Sequence, residues 1–156
     1  MKLSSQEEYG LRCLLQLGRR DPSVSLTIPE ISQMEGISTH NVAKLLRILR
    51  QRGFVTSERG QRGGYALARS ADQIVVGEVL AALGGRLYDP SFCDHFGGNE
   101  ITCLRSSTEC SVRSLWDRVQ QAVDQVLSQT TLHDLLCDDF DASQSLSDAL
   151  IEIAPS

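Results

Sequence analysis

The sequence contains no apolar run long enough to cross a membrane, and no internal repeat. It also lacks the uninterrupted apolar core of a secretory signal, because Glu7, Glu8 and Arg12 fall within the opening residues. A cytoplasmic location is therefore predicted, without membrane association. With 156 residues, the chain can form one domain, or a small domain with an appendage, around a modest core.

An overall excess of positive charge is missing too, since the net charge is −5, which alone argues weakly against a nucleic-acid partner. The distribution of charge reverses that argument. Residues 1–70 carry eleven Lys and Arg against six acids, a balance of +5, whereas residues 71–156 carry four against fourteen, a balance of −10. Seven basic residues and one acid, Glu58, lie between Lys44 and Arg69. A local basic stripe matters more for polyanion binding than the whole-chain balance.

The five cysteines cannot form a complete set of disulfides, because their number is odd. Cys13 and Cys137 stand beside apolar residues at helical positions and are predicted to be structural. Cys93, Cys103 and Cys110 stand in a segment rich in Gly, Ser, Thr and acids, without the apolar periodicity that would bury them. In a reducing compartment, these three indicate free thiols, a metal site or redox chemistry.

The opening segment predicts a helix from about Ser5 to Gly18. Ser5 and Glu8 have the S-x-x-E spacing of a capping box, in which each residue bonds the backbone N–H of the other. The apolar side of this helix is predicted to consist of Leu11, Leu14 and Leu15, with Cys13 close by.

Two further helices predict a helix-turn-helix. Thr27 and Glu30 repeat the capping-box spacing, Gly36 ends the short helix that follows, and Ser38 can cap the next one, which Gly53 closes. The last of these helices has a buried stripe at i, i+3, i+4 and i+7, formed by Val42, Leu45, Leu46 and Leu49. Its other faces carry polar and basic residues, among them His40, Asn41, Lys44 and Arg47.

The segments "FVTSE" and "YALAR" predict two strands, joined by the Gly-rich turn "RGQRGG". Alone, such a hairpin is more often a solvated basic hairpin. Directly after a helix-turn-helix it indicates the wing of a winged helix, with Arg59 and Arg62 at the tip. The predicted fold class is therefore mainly α with a small β-wing. For DNA, we expect phosphate contacts from Lys44, Arg47, Arg59 and Arg62, and base contacts from His40 and Asn41.

A long helix is predicted after the cysteine segment, in "SVRSLWDRVQQAVDQVLSQ". Little chain remains downstream to cover its apolar face, so a second copy is the expected cover and the chain is predicted to form a homodimer. That face comprises Val112, Leu115, Trp116, Val119, Val123, Val126 and Leu127. The predicted units are the winged helix-turn-helix domain (1–84), the cysteine-bearing loop (85–111), the dimerisation helix with a short C-terminal helix (112–137) and an acidic, flexible tail (138–156).

This order of features resembles the IscR/NsrR-type winged helix-turn-helix regulators, a family of bacterial iron–sulfur transcription factors. The resemblance covers roughly residues 1–137 and implies a DNA-binding transcriptional regulator rather than an enzyme, expected to act as a repressor. The matching segments are "MKLSSQEEYGLRCLLQL", "LTIPEISQMEGISTHNVAKLLRILRQRGFV", "ERGQRGGYALAR", "IVVGEVLAALGG", the cysteine loop and "CSVRSLWDRVQQAVDQVLSQTTLHDLL".

The resemblance implies that Cys93, Cys103 and Cys110 bind a 2Fe–2S or a 4Fe–4S cluster. Their spacing, C-x9-C-x6-C, is looser than the C-x5-C-x5-C that is commoner in the family, and Arg113 stands where IscR proper supplies a histidine. A guanidinium does not bind iron, so the fourth ligand must come from elsewhere. Glu8 is the best candidate, as a carboxylate that reaches across the dimer, although its spacing fits a helix cap equally well. Weaker candidates are His40, Glu35, Asp94 and His95.

Several alternatives to the cluster remain open. Three thiolates and one further ligand also suit zinc, and two of the cysteines could instead form a reversible disulfide. A regulator without iron, switched by cysteine oxidation or a small ligand, keeps every other feature. An enzyme with a cysteine nucleophile and His95 or His40 as base lacks a third, orienting group. With a cluster, the expected signals are redox state, nitric oxide or iron–sulfur status.

Overall fold

Six α-helices and a two-stranded hairpin form the part of the chain that the computed structural model describes, residues 4–60, 63–84 and 111–137. The mainly α prediction with a β-wing is confirmed. The predicted sites at Cys93, Cys103, Cys110 and Arg62 lie outside the described residues. The elements are α1 (Ser5–Gly18), α2 (Ile28–Glu35), α3 (Thr39–Gln51), β1 (Val55–Glu58), β2 (Gly64–Leu67), a 3₁₀ turn (Ala71–Gln73), α4 (Val76–Leu83), α5 (Ser111–Gln129) and α6 (Leu132–Leu136). None of these helices is long and apolar enough to span a membrane.

The helix-turn-helix is fixed by local capping, as predicted. The Thr27 hydroxyl accepts from the Glu30 N–H at 3.4 Å, and the Glu30 carboxylate accepts from the Thr27 N–H at 2.7 Å. After α2, Gly36 adopts a left-handed φ of 66°, which an L side chain rarely adopts, and the Ser38 hydroxyl then accepts from the Asn41 N–H to begin α3. These caps set the direction in which α3 leaves α2.

A single core holds α3 against its neighbours. The predicted stripe on α3 is buried and meets α1, α2 and α4. The face of α1 that enters this core is formed by Gly10, Cys13, Leu14 and Leu17. It is rotated slightly from the predicted face, because Leu11 and Leu15 are only partly buried. Because its inner side is buried, α3 presents the opposite side to solvent.

The predicted cap of α1 is wrong by one residue. Ser4, not Ser5, is the N-cap: its N–H donates to Glu7 Oε2 at 2.7 Å, and its hydroxyl accepts from the Glu7 N–H at 3.4 Å. The sequence "SSQEE" offers the S-x-x-E spacing twice, so spacing alone could not choose. The choice follows from packing, because Glu7 is buried against Gly84 at the end of α4 whereas Glu8 faces solvent.

The close approach of α1 and α4 depends on Gly10. A Cβ at this position would lie 2.9 Å from Leu83 Cδ2 and 3.2 Å from Leu83 Cγ. We therefore expect Gly10→Ala to lower the free energy of unfolding by about 1–3 kcal/mol through overpacking, measured by urea denaturation. The combination Gly10→Ala with Leu83→Ala should cost less than the sum of the two single substitutions. Additive costs would show that the clash is not the cause.

The C-terminal helices are tied to the same core. Leu132 of α6 is fully buried, its N–H donates to the Ile74 carbonyl at 2.8 Å, and Leu136 packs on Gly18 of α1. The end of α5 near Leu127 lies against Gly77 of α4. The first half of α5 has no such cover in the described chain: Val112 and Leu115 are each 54% exposed and Trp116 is 42% exposed.

Candidate DNA interface and cluster site

One exposed face of α3 carries four of the predicted DNA-binding residues. His40, Asn41, Lys44 and Arg47 are all exposed, and the i, i+4, i+7 spacing of His40, Lys44 and Arg47 aligns these three along the helix. The opposite face is locked into the core, so this row is displayed on a rigid support. A helix with one buried face and one polar, basic face is the form that enters a major groove.

The wing is a short antiparallel hairpin beside α3. β1 and β2 pair from Val55↔Leu67 to Glu58↔Gly64, and the exposed Arg59 follows β1 directly. Arg59 is thus at the turn, as predicted, while its predicted companion Arg62 lies outside the described residues.

A backbone bridge between the wing and the segment before α2 was not predicted. Leu26 pairs with Tyr65 through two backbone hydrogen bonds, of 2.9 Å from the Leu26 N–H and 2.7 Å from the Tyr65 N–H. This bridge attaches the hairpin to the residue that precedes the cap of α2. The alternation in "SVSL", directly before that cap, is the available signal, but the stretch is too short to stand out between turn residues.

Two arginines of the basic stripe have structural partners. Arg50, near the end of α3, donates to Ser57 Oγ on β1 at 3.1 Å and so joins the helix to the wing. Arg69 lies 5.2 Å from the centre of the Phe54 ring and 3.3 Å from a Glu78 carboxylate oxygen. These arginines connect the wing to neighbouring elements, and the Glu78 carboxylate offsets part of the charge of Arg69.

Glu8 is an exposed carboxylate on α1 whose described partner is Arg12. The guanidinium of Arg12 places Nη2 at 2.8 Å and Nε at 2.9 Å from Glu8 Oε1, one helical turn away. The interpretation of Glu8 as the helix cap is wrong, since Glu7 has that role. Glu8 therefore remains available as a ligand.

The end of α4 lies next to the beginning of α1. Gln6 donates to the carbonyl of Leu83, and Gly84 lies against Glu7. Three thiolates with one carboxylate are a donor set that fits an iron–sulfur cluster with one labile iron. Among the residues described here, no three side chains form a metal-binding group; the three cysteines themselves lie outside that part.

The two remaining cysteines differ from each other. Cys13 is fully buried, and burial, assisted by the negative charge of Glu35, raises the pKa of its thiol to about 12, so its structural role is confirmed. Cys137 is exposed, with Sγ 3.5 Å from Nε2 of His133, so burial does not support the structural role predicted for it. Cys137 follows Leu136, the last residue of α6, and is the C-cap of that helix.

Of the weaker candidates for the fourth ligand, Glu35 is only 10% exposed at its side chain and accepts a hydrogen bond from Gln16. His40 is on the exposed face of α3. Asp94 and His95 lie outside the described residues. The choice of Glu8 as the fourth ligand stays a prediction.

Comparison with known proteins places these features in a family. The sequence profile described as "Rrf2: Iron-dependent Transcriptional regulator" matches residues 3–138. The chain belongs to the Rrf2 family.

The protein rrf2 of Nitratidesulfovibrio vulgaris is 36% identical over 138 residues, covering 88% of this chain and 89% of that protein. The regulator IscR of Cronobacter sakazakii is 31% identical over 136 residues, covering 87% and 80%. The structure of CymR, the global cysteine regulator of Bacillus subtilis, superimposes with a TM-score of 0.70 at 31% identity, covering 87% and 96%.

Membership of the Rrf2 family confirms the winged-helix fold and the resemblance found in the sequence. This Rrf2-family chain is a transcriptional regulator, and DNA binding follows at the level of the family, which is one of regulators rather than of enzymes. Both IscR and CymR are among its relatives, and CymR is described as a global cysteine regulator. The cofactor must therefore be argued from the side chains of this chain.

Proposed function

We propose that this Rrf2-family regulator is a homodimeric, cytoplasmic repressor whose affinity for its operator is switched by a 2Fe–2S or 4Fe–4S cluster. Cys93, Cys103, Cys110 and Glu8 hold the cluster. The observation that supports this most concerns Glu8: the neighbouring Glu7 takes over the helix cap, and the Glu8 carboxylate is left exposed on α1. When bound, the cluster supplies a centre that reacts to redox state, nitric oxide or iron–sulfur status.

The DNA-binding part of the proposal assigns two kinds of contact. Lys44, Arg47, Arg59 and Arg62 bind phosphates, which provide most of the affinity and make it sensitive to salt. His40 and Asn41 reach the edges of bases in the major groove. In a symmetric dimer, two copies of α3 enter successive major grooves about 34 Å apart, with the wings on the flanking backbone or minor groove.

The switch itself is a shift between two arrangements of the dimer. Glu8 joins the cysteine segment, across the dimer, to the first helix of the DNA-binding domain, so its binding or release favours one orientation of α3 over another. A shift from 1:99 to 99:1 requires about 5.5 kcal/mol of differential stabilisation. Carboxylate and thiolate bonds to a metal can differ by that amount between two states.

The experiment that tests the function begins with protein purified without oxygen. Its absorbance spectrum is recorded, iron and acid-labile sulfide are counted per subunit, and binding to duplex DNA selected from a random pool is compared with and without the cluster. A brown protein with matching iron and sulfide, whose Kd for DNA changes on cluster removal, is the expected result.

A protein that stays colourless after reconstitution would overturn the cluster and leave an iron-free regulator switched by thiol oxidation or a small ligand. The likeness to CymR, a global cysteine regulator, favours that second candidate.

Glu8→Ala tests the fourth ligand. We expect the lifetime of the cluster in air to fall by at least about tenfold, because one iron loses a protein ligand, whereas Glu8→Asp should retain part of the stability. The measurement is the decay of the visible absorbance after exposure to oxygen. Glu58→Ala removes an exposed carboxylate from the wing and serves as the matched control. An unchanged cluster lifetime in Glu8→Ala would show that Glu8 is not a cluster ligand and only pairs with Arg12.

Leu115→Lys tests the homodimer. Leu115 lies in the uncovered apolar half of α5, so a charge there should be buried without a partner in the dimer and weaken association by at least about a hundredfold. Sedimentation measures the change, and the fluorescence of Trp116, the sole tryptophan, reports burial of the same face. Gln121→Lys, on the exposed side of α5, adds the same charge and should leave the dimer intact. Equal effects of both substitutions would exclude this face as the interface.

A further inference from the structure

We propose that Gly77 is a positioning residue that sets the distance between the two half-sites recognised by the dimer. It does so by fixing the angle at which the dimerisation helix α5 leaves the winged helix-turn-helix domain. This inference rests on the homodimer of the proposed function and needs no cluster. Gly77 lies in the first turn of α4, where a Cβ would lie 3.3 Å from the Cβ, the carbonyl carbon and the carbonyl oxygen of Leu127 on α5.

A second attachment of α5 lies just beyond this contact along the chain. The N–H of Val76 donates to the carbonyl of Thr130 at 2.9 Å, directly after the last residue of α5. The N–H of Leu132 donates to the carbonyl of Ile74 at 2.8 Å, and the Leu132 side chain is fully buried in the core. The contact at Gly77 and the bond to Thr130 are thus two attachments of one helix, and together they fix its direction.

The close contact at Gly77 cannot be relieved by a side chain alone. In Gly77→Ala the added Cβ meets backbone atoms of Leu127, which cannot turn away as a flexible side chain can, so the end of α5 must move by a few tenths of an ångström. The bond to Thr130 holds the chain about 4.5 Å further along, at a rise of about 1.5 Å per residue. The helix therefore tilts about that bond.

The length of α5 amplifies the tilt. Trp116, in the uncovered apolar half that forms the proposed interface, lies about 21 Å along the helix from Thr130. A movement of about 0.4 Å at Leu127 therefore displaces Trp116 by about 2 Å relative to α3. The two-fold axis of the dimer repeats this displacement in the second subunit. The resulting change of about 4 Å between the two copies of α3 is comparable with the rise of about 3.4 Å per base pair.

The test measures how the dimer discriminates between half-site spacings, in the whole chain and with the cluster state held constant. An operator for the wild type is selected from a random pool of duplexes, and derivatives gain or lose one base pair between the half-sites. We expect Gly77→Ala to change the ratio of the Kd values for the selected and the altered spacings by at least about fivefold. Its Kd for a single half-site should stay within about twofold of the wild-type value, because α3 and the wing are unchanged.

Gly10→Ala is the matched control. It adds the same methyl group to the same domain, at the contact of α1 with α4 and away from α5. It should lower the stability without changing the preferred spacing. An equal change of spacing in this control would overturn the role of Gly77, since a general loss of packing would then be the cause.

Thr130→Val covers the case in which Gly77→Ala does not fold. It keeps the backbone bond from Val76 but removes the hydroxyl that donates to the Val126 carbonyl at 2.8 Å, so the last turn of α5 is held less firmly. We expect the Kd penalty for an altered spacing to shrink by at least about threefold.

Two outcomes separate this inference from the proposed function. A wild-type spacing profile in folded Gly77→Ala, or in Thr130→Val if Gly77→Ala does not fold, would overturn the role of Gly77 and leave the proposed function standing. A wild-type protein that selects only single half-sites would overturn the homodimer of the proposed function, and this inference with it.

Discussion

Cys103→Ser is expected to leave the protein colourless. Cys103 is the central residue of the three proposed thiolate ligands, and a serine hydroxyl, which stays protonated at neutral pH, is a far weaker ligand for iron than a thiolate. We expect iron and acid-labile sulfide to fall from a full cluster to below about a tenth of the wild-type content per subunit, in protein purified and reconstituted without oxygen. The same variant should bind operator DNA with the Kd of wild-type protein from which the cluster has been removed by chelation.

Cys137→Ser provides the matched control for this experiment. It removes a thiol that is exposed at the end of α6, and it should keep the wild-type colour and cluster content. Equal loss of colour in both variants would point to a general effect of thiol removal, and full iron in Cys103→Ser would show that the cysteine segment is not the cluster site. Cys13 is unsuitable as a control, because a serine there would bury a hydroxyl in an apolar core.

Local physics explains why much of the fold could be predicted from the sequence. The caps of α2 and α3, at Thr27 and Ser38, use side chains that bond the first free N–H groups of the same helix, so their effect depends on neighbours only three residues away. Gly36 is equally local, because its φ excludes most other residues. The apolar stripe of α3 was readable because a helix with one buried face repeats with its own period.

The errors arose where several local solutions were available and packing chose between them. Ser4 and Ser5 each have an acid three residues later, and the burial of Glu7 against Gly84 decides in favour of Ser4. This one-residue shift changes the argument about function, since it removes the cap as an explanation of Glu8. No spacing rule could have supplied that information, because it depends on the end of α4, more than seventy residues away.

The sequence also predicts where basic residues cluster along the chain, but not which partners their side chains contact. The sequence shows that Arg50 and Arg69 belong to a basic stripe, but only the fold brings Ser57, Phe54 and Glu78 next to them. The same holds for Arg12 and Glu35, which are distant along the chain and meet where α1 passes the end of α2. Long side chains reach partners on other elements, and their pairing depends on the relative placement of those elements.

The double charge reversal Lys44→Glu with Arg47→Glu is expected to weaken operator binding by at least about a hundredfold, which corresponds to about 2.8 kcal/mol. Both side chains are exposed on the free face of α3, and neither supports the core, so the fold should survive the change. If both bind phosphates, the slope of log Kd against log salt should fall by about two for each subunit on the operator. Fluorescence anisotropy with the selected duplex, over a range of salt concentrations, measures both quantities.

The control must separate direct contact with DNA from the long-range electrostatic attraction of the whole protein for DNA. Arg19→Glu with Arg20→Glu reverses two exposed charges just beyond α1, so it changes the net charge by the same amount without touching α3. If α3 enters the major groove, this control should reduce the affinity far less and leave the salt slope nearly unchanged. Equal losses in both variants would mean that the basic half of the chain attracts DNA only at long range. A large loss confined to Lys44 and Arg47 would instead identify α3 as the element in the groove, because a long-range attraction would respond similarly to the same change in charge at either surface.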